Sequence, residues 1–196
     1  MTKRAGRVPG FYGVMAHHPS ALKNFLPLYA SVMHEGTLEA RYKELAYLKT
    51  SHLNGCEYCS RAHTPAAKRA GITAEQIAAL TFYERSPLFD EKEKAVLLYA
   101  ERMTRAAGAG LRDMAVGELK KHFTEDQIVE LALVICMANF TNRFNNGLRI
   151  EPDLAERWDL GKDIYYLKRE ELFAFKVERV TGERVVIGSL RPTGLR

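Results

Sequence analysis

Cysteine is scarce in this 196-residue chain: three residues, at 56, 59 and 136. They are too few and too unevenly spaced for a disulfide framework, so a reduced, cytoplasmic setting is expected. Long apolar runs are missing as well. The most apolar stretch, Ile128 to Phe140, is interrupted by Glu130 and Asn139. It is too short for a bilayer crossing, which needs about 20 apolar residues, and no membrane partner is expected. The opening MTKRAGRVPGFYG is basic but has no apolar core of a signal peptide. There are no low-complexity tracts and no convincing internal repeat. Nor is there a concentrated field of one sign. The net charge is +5, and most of the excess sits at the ends: Lys3, Arg4 and Arg7 before residue 18, and eight Lys or Arg against five acids over 162–196. A nucleic-acid reader would carry a basic face with interleaved aromatics on a structured element. Basic ends read instead as solvated termini, and no nucleic-acid partner is expected.

What is present is an ordinary globular composition, 46% hydrophobic and 27% charged. A chain of this length can bury roughly 70% of its unfolded surface and needs no covalent staple. Helical periodicity dominates from about residue 20 to 160. The pattern predicts a helix from an N-cap at Ser20 to His34, bent or split at Pro27. A second follows over 37–53, where Leu38, Tyr42, Leu45, Ala46 and Leu53 recur at helical spacing, and Asn54-Gly55 stops it. A third starts at Cys56 and ends near Ala70, with Gly71 at C′. Thr73 with Gln76 forms a capping box for a short helix over 73–82. Asp90 caps an amphipathic helix over 91–107 with an apolar line of Ala95, Leu98, Tyr99 and Met103. A loop GAGLRD and a short helix over 114–122 come next. Thr124 with Gln127 then caps a helix over 125–147, the most apolar in the chain and expected to be central.

Beyond residue 160 the texture changes. Phe173, Phe175 and Val177 alternate with other residues, Thr181-Gly182-Glu183 can turn the chain, and Arg184 to Ile187 can pair back. The reading is an all-α bundle over residues 1–160 with a C-terminal extension over 161–196, an extended arm or β-hairpin that must lie on its own body or on a neighbouring subunit.

The chemistry-bearing segment is Cys56-Glu57-Tyr58-Cys59-Ser60-Arg61-Ala62-His63. On a helix entered at Cys56, the side chains of 56, 59 and 63 share one face. Two thiols so spaced can close a disulfide within a turn. A free thiol with a pKa near 8.5 is only roughly 3% ionised at pH 7. The first turn of a helix favours the anion, and a neighbouring imidazole can take the proton or pair with the thiolate. A second cysteine then resolves a sulfenic acid before over-oxidation. Glu44 lies twelve residues before Cys56 on the preceding helix. The Asn54-Gly55 turn lets it approach His63 or the thiols, where a partly buried carboxylate can act as base or proton shuttle.

Other assignments of these residues are weaker. Cys56, Cys59 and His63 supply three zinc ligands, but a structural site wants four, and there is no second Cys-x-x-Cys and no HxxxH. Neither a metal nor another cofactor is expected. A thioredoxin domain needs a strand before its motif, and here a helix precedes it. His17, His18, His34, His52 and His122 lack partners at useful spacing and read as surface or core fillers. Cys136 stands amid apolar residues and reads as a packed, inert thiol. Asn139, Asn142, Arg143 and Asn145 either line a pocket beside the thiols, with Arg143 holding an anionic group, or cap the helix end and satisfy loop backbone.

The spacing Glu44, eleven residues, Cys56, two residues, Cys59, three residues, His63 resembles the signature of AhpD-like alkyl hydroperoxidases of the carboxymuconolactone decarboxylase superfamily. The segments from Glu130 to Gly147 and from Asp90 to Ala95 resemble it too, so the likeness covers about residues 20–155. It implies an all-helical AhpD-like bundle that assembles into trimers or hexamers. It implies that Cys59 attacks a peroxide, that Cys56 donates the proton and then resolves, and that Glu44 and His63 form the proton relay. A thiol reductant of lipoyl or thioredoxin type would restore the pair. One departure is Tyr58, where the founding hydroperoxidase has a further His. A tyrosine, with a pKa near 10, carries protons less readily, so a weaker turnover is implied. The alternatives are a decarboxylase acting on a carboxylated lactone, whose relatives generally lack the cysteine pair, and a redox switch or metal clip without turnover.

Overall fold

The structure, a computed structural model, describes residues 9–105 and 114–152 and the backbone of 176–178 and 184–186. Among the described residues eight helices follow one another: α1 (Gly10–Met15), α2 (Pro19–His34), α3 (Ala40–Leu53), α4 (Glu57–Arg69), α5 (Ala74–Ala79), α6 (Glu91–Arg105), α7 (Met114–Lys120) and α8 (Glu125–Gly147). A 3-10 turn, Leu80–Phe82, extends α5. The expected all-α bundle is therefore present. At the C-terminal side Lys176–Glu178 pairs antiparallel with Arg184–Val186, with Val177 opposite Val185, as expected for a hairpin. Its turn residues, Phe173, Phe175 and the GAGLRD loop lie outside the described residues.

The caps explain most boundaries. Both predicted boxes form: Thr73 and Gln76 exchange side-chain-to-backbone bonds, as do Thr124 and Gln127. Asp90 accepts from the Glu93 N–H at 2.7 Å, and Glu93 reaches back to the Asp90 N–H at 3.1 Å. The start of α2 differs from expectation. His18, not Ser20, is the N-cap, because Pro19 suits the first helical position and His18 Nδ1 accepts from the Ala21 N–H at 3.3 Å. Pro27 lies inside a helix that runs continuously from Pro19 to His34. Helix α1 lies before the segment in which periodicity was legible.

The central helix is α3 rather than α8. Every residue from Tyr42 to Ser51 is buried, and the helix packs against α4, α6 and α8. Hydropathy understates α3 because two of its buried residues are lysines whose amino groups reach its rim. Lys43 Nζ donates to the carbonyls of Val32 (3.0 Å) and Glu35 (2.6 Å). Lys49 Nζ reaches the Leu80 carbonyl at 3.1 Å and Glu101 at 2.8 Å. Paired in this way, a lysine can be buried without a stranded charge. Helix α8 is half open: Val129, Leu133 and Phe140 are exposed, and so is Cys136, which is therefore not a packed thiol. Among the described residues no helix is long and apolar enough to cross a membrane.

One corner ties α2, α3 and α8 together. Gly36 has φ +95°, and the Glu130 carboxylate accepts from the N–H groups of Thr37 (2.8 Å) and Leu38 (3.0 Å). A Cβ on Gly36 would overlap that carboxylate. We therefore expect Gly36→Ala to cost about 2–3 kcal/mol, from the left-handed backbone and the displaced carboxylate together. Urea unfolding would measure this; a loss below about 0.5 kcal/mol would mean that the corner does not hold Glu130 as described.

Candidate functional site

The end of α3 builds the start of α4. Asn54 caps α3, Gly55 takes φ +61°, and the Gly55 and Cys56 N–H groups donate back to the carbonyls of His52 (3.2 Å) and Ser51 (2.9 Å). This is a Schellman ending. Its last residue, Cys56, is at once the N-cap of α4, one position earlier than the helical start expected for it. The Cys56 sulfur consequently accepts the Cys59 backbone N–H at 3.3 Å.

Both cysteines are reduced and nearly sealed, at 1% and 2% exposure. Their environments differ. The hydrogen bond from the Cys59 thiol, aided by the Cys59 backbone N–H and the Asn145 amide, holds Cys56 below the ordinary thiol value against its burial. Cys59 is the donor in that pair, so its proton is held; burial and the negative charge on Cys56 raise it further. The shifts run in opposite directions: Cys56 is the readier of the two to ionise, and Cys59 the one that keeps its proton. Asn145 Nδ2 donates to Cys59 Sγ at 3.1 Å, and its own buried Oδ1 has no hydrogen-bond partner among the described residues.

Glu44 meets His63 as anticipated: Oε2 lies 2.8 Å from Nδ1, with both side chains buried. The other ring nitrogen, Nε2, lies 3.1 Å from the Tyr29 hydroxyl. Both nitrogens thus have partners and neither is bonded to sulfur, contrary to the direct Cys–His pairing drawn from helical spacing. The reason is that Glu44 and Tyr29 take both ring nitrogens, while the cap sulfur of Cys56 turns to the first-turn N–H and Cys59 receives the Asn145 amide. The Tyr47 ring stacks on the imidazole at 3.5 Å between centroids and 16° between planes. Its hydroxyl, 2.5 Å from Thr141 Oγ1, is pushed well above the ordinary phenol value by burial. His34 lies edge-on to Tyr29 at 6.2 Å and is held below the ordinary imidazole value, chiefly by burial. It is a neighbour of the site rather than a remote filler. His18 likewise has a job, as the α2 cap.

Helix α8 divides its amides between two tasks. Asn142 and Asn145 are buried. Asn142 donates to Ser51 Oγ at 3.1 Å, and both amides lower the Cys59 thiol against the effects that raise it. Asn139, with Asn142, accepts from Asn54 Nδ2, each at 3.0 Å, while Asn146 donates to the Asn54 carbonyl at 2.8 Å. Arg143 is exposed and bonds the Asn139 side chain and carbonyl, so it does not line the thiols. Tyr58, the residue in place of the expected His, accepts the Phe11 N–H at 3.2 Å and anchors α1. Sequence reasoning missed Tyr29 and Tyr47; Tyr47 was legible in principle, three residues after Glu44 on the same face of α3. Among the described residues no three His, Cys, Asp or Glu side chains converge as metal ligands. A surface cavity of about 350 Å³ is lined by Glu84, Leu98, Glu101, Arg102 and Arg105, and by none of the four motif residues.

Comparison with known proteins places this architecture. The profile of the carboxymuconolactone decarboxylase family matches residues 19–102. The uncharacterized protein YdfG of Bacillus subtilis is 28% identical over 111 residues, covering 57% of this chain and 76% of its own. The crystal structure of ATU0492 from Agrobacterium tumefaciens, put forward as an antioxidant defence protein AhpD, superposes with a TM-score of 0.67. It is 29% identical, with 72% of this chain and 96% of that one covered. An uncharacterized peroxidase-related protein from Silicibacter sp. TM1040 gives a TM-score of 0.69 at 26% identity, covering 79% and 81%.

The thiol asymmetry is measurable. With Cys136→Ser to remove the exposed thiol, ultraviolet titration should show one thiolate forming below the ordinary thiol range and no second one within it. Cys59→Ala removes the S–H donor and should raise the remaining midpoint. Two equal midpoints at the ordinary value would contradict the coupling.

Proposed function

Taking as premise that this is an AhpD-like chain of the carboxymuconolactone decarboxylase superfamily, we propose that it is a thiol-dependent peroxidase that reduces small alkyl hydroperoxides. The observation that carries this reading is the buried Cys56–Cys59 pair, capped by the Cys59 N–H and the Asn145 amide, on the helix whose His63 bonds the buried Glu44 carboxylate.

The chemistry follows from who holds the proton. Cys56 thiolate takes the Cys59 proton through their existing hydrogen bond, and Cys59 attacks the terminal peroxide oxygen. The O–O bond breaks; Cys59 becomes the sulfenic acid and the alkoxide leaves. A proton passed along Glu44 and His63 neutralises the alkoxide to the alcohol. Cys56 returns its proton, attacks the sulfenic sulfur and expels water, closing the Cys56–Cys59 disulfide. The net change is ROOH plus two thiols to ROH, water and one disulfide. An external dithiol, of lipoyl or thioredoxin type, then supplies two electrons and two protons. Tyr47 holds the imidazole plane, and Tyr29 occupies Nε2 until a substrate oxygen replaces it. Asn145 Oδ1, unpartnered among the described residues, is an acceptor suited to the hydroperoxide O–H. With only 1% and 2% of the cysteines exposed, small hydroperoxides are favoured over bulky ones. The setting that fits such a dithiol cycle is the reducing cytoplasm.

A decarboxylase acting on a carboxylated lactone would use acid–base groups without sulfur. Alkylating both thiols separates the two readings: peroxide consumption should cease, and retained activity on a lactone would favour the decarboxylase.

Steady-state peroxide consumption with a dithiol donor should vanish in Cys59→Ser. Cys56→Ser should complete one turnover and leave a sulfenic acid at Cys59, detectable by dimedone trapping and mass spectrometry. Glu44→Gln should slow the reaction about 10²–10⁴-fold with the thiols intact. A sulfenic acid trapped at Cys56 in Cys59→Ser would reverse the two sulfur roles, and full activity of Cys59→Ser would end the proposal.

A further inference from the structure

The proposed cycle draws a proton from outside the thiol pair. Starting from a Cys56 anion and a Cys59 thiol, ROOH yields a disulfide, ROH and water only if one further proton is added. The pair that delivers it, Glu44 and His63, is buried. Each turnover therefore needs a route by which solvent reloads the imidazole. The Glu44 carboxylate fixes which nitrogen is reloaded. It lies 2.8 Å from Nδ1, so Nδ1 carries a hydrogen and Nε2 of the neutral ring is the acceptor. The Tyr29 hydroxyl, 3.1 Å from Nε2, then donates to it and keeps its lone pairs for a proton arriving from the other side.

Two other tyrosines near the site are turned elsewhere. Tyr47 lies flat on the imidazole with its hydroxyl on Thr141, and the Tyr58 hydroxyl accepts the Phe11 N–H. Tyr29 is only partly buried, and it leads outward. His34, the last residue of α2, is exposed, and its ring packs edge-on against Tyr29 at 6.2 Å between centroids. Partial burial of that ring lowers its proton affinity. Glu44 pulls the other way, and His63 and Lys43 add to the lowering, the Lys43 amino group bonding the carbonyls of Val32 and Glu35 on either side. A proton gained at His34 is therefore readily given up.

We propose that Tyr29 and His34 of α2 are the proton inlet of the site. His34 collects a proton from solvent, one water carries it to the Tyr29 hydroxyl, and Tyr29 passes its own proton to His63 Nε2. Only protons move: the Tyr29 O–H bond breaks as the N–H bond forms, and a new O–H bond forms with the proton that His34 releases. The transfer follows departure of the alcohol and return of Tyr29 to Nε2. The inlet takes its purpose from the peroxidase reading and rests on it there, but the proton transfer itself needs no peroxide. Both residues act through His63, as relay and positioning groups outside the segment from Cys56 to His63.

Two readouts on the full chain test this. Without peroxide, and with isotope-labelled histidine, exchange of the His63 ring protons with water is followed by nuclear magnetic resonance. His34→Ala and Tyr29→Phe should each slow it about tenfold or more. Added free imidazole should restore the rate in His34→Ala and leave Tyr29→Phe slow, a response that a merely structural role would not give. With peroxide and a dithiol donor, turnover should follow the same order. The double variant should be no slower than Tyr29→Phe alone, because the two groups act in one chain. Exchange indifferent to His34→Ala, failure of imidazole to rescue that variant, or losses that multiply in the double variant would overturn the proposal. A chain that consumes no peroxide, yet shows slowed exchange rescued by imidazole, would sink the peroxidase reading and leave the inlet standing.

Discussion

A single residue, Cys56, closes one helix and opens the next, and the candidate site depends on that double role. As the last member of the α3 ending its N–H satisfies the Ser51 carbonyl, and as the N-cap of α4 its sulfur accepts the Cys59 N–H. This arrangement of the corner brings a thiol to the amide-rich end of α4 and turns Glu44 of α3 toward His63 of α4. The corner is clamped from outside by α8, through Asn139, Asn142 and Asn146 on the side chain and carbonyl of Asn54. The polar end of the most apolar helix thus holds the turn that positions the thiols.

The two cysteines are alike in sequence and in burial, and differ only in which donates. A cap sulfur receives N–H groups and a neighbouring S–H, all of which favour its anion. The sulfur one turn later receives the Asn145 amide but faces the anion that its neighbour carries. Helical spacing alone treats 56 and 59 as equivalent. The cap breaks the equivalence, and with it decides which sulfur gives up its proton more readily. The imidazole bonds to neither sulfur and is fixed by Glu44, Tyr29 and the Tyr47 ring.

Burial of charge follows the same economy. Lys43, Lys49, Glu44 and Glu93 are all buried, and each has a partner: Lys43 and Lys49 reach main-chain carbonyls and a glutamate, Glu44 meets His63, and Glu93 pairs with Arg41. A helix with this composition reads as amphipathic at best. It becomes the centre of the bundle because its long side chains deliver their charges to helix ends and to surface acids.

Local signals were enough for most of what is local. Capping boxes at Thr73 and Thr124, the stop at Asn54-Gly55, the C′ glycine at 71 and the spacing from Glu44 to His63 are read within a few residues, because backbone hydrogen bonds at helix ends are satisfied by near neighbours. What the tertiary structure alone decided involves residues far apart in the chain. It put Tyr29 of α2 on His63 and gave the Asn145 amide to Cys59. It made α3 central in place of α8, and turned Cys136 out to solvent. Those outcomes depend on which faces of different helices meet, and a periodic pattern specifies that a face is buried without naming what buries it.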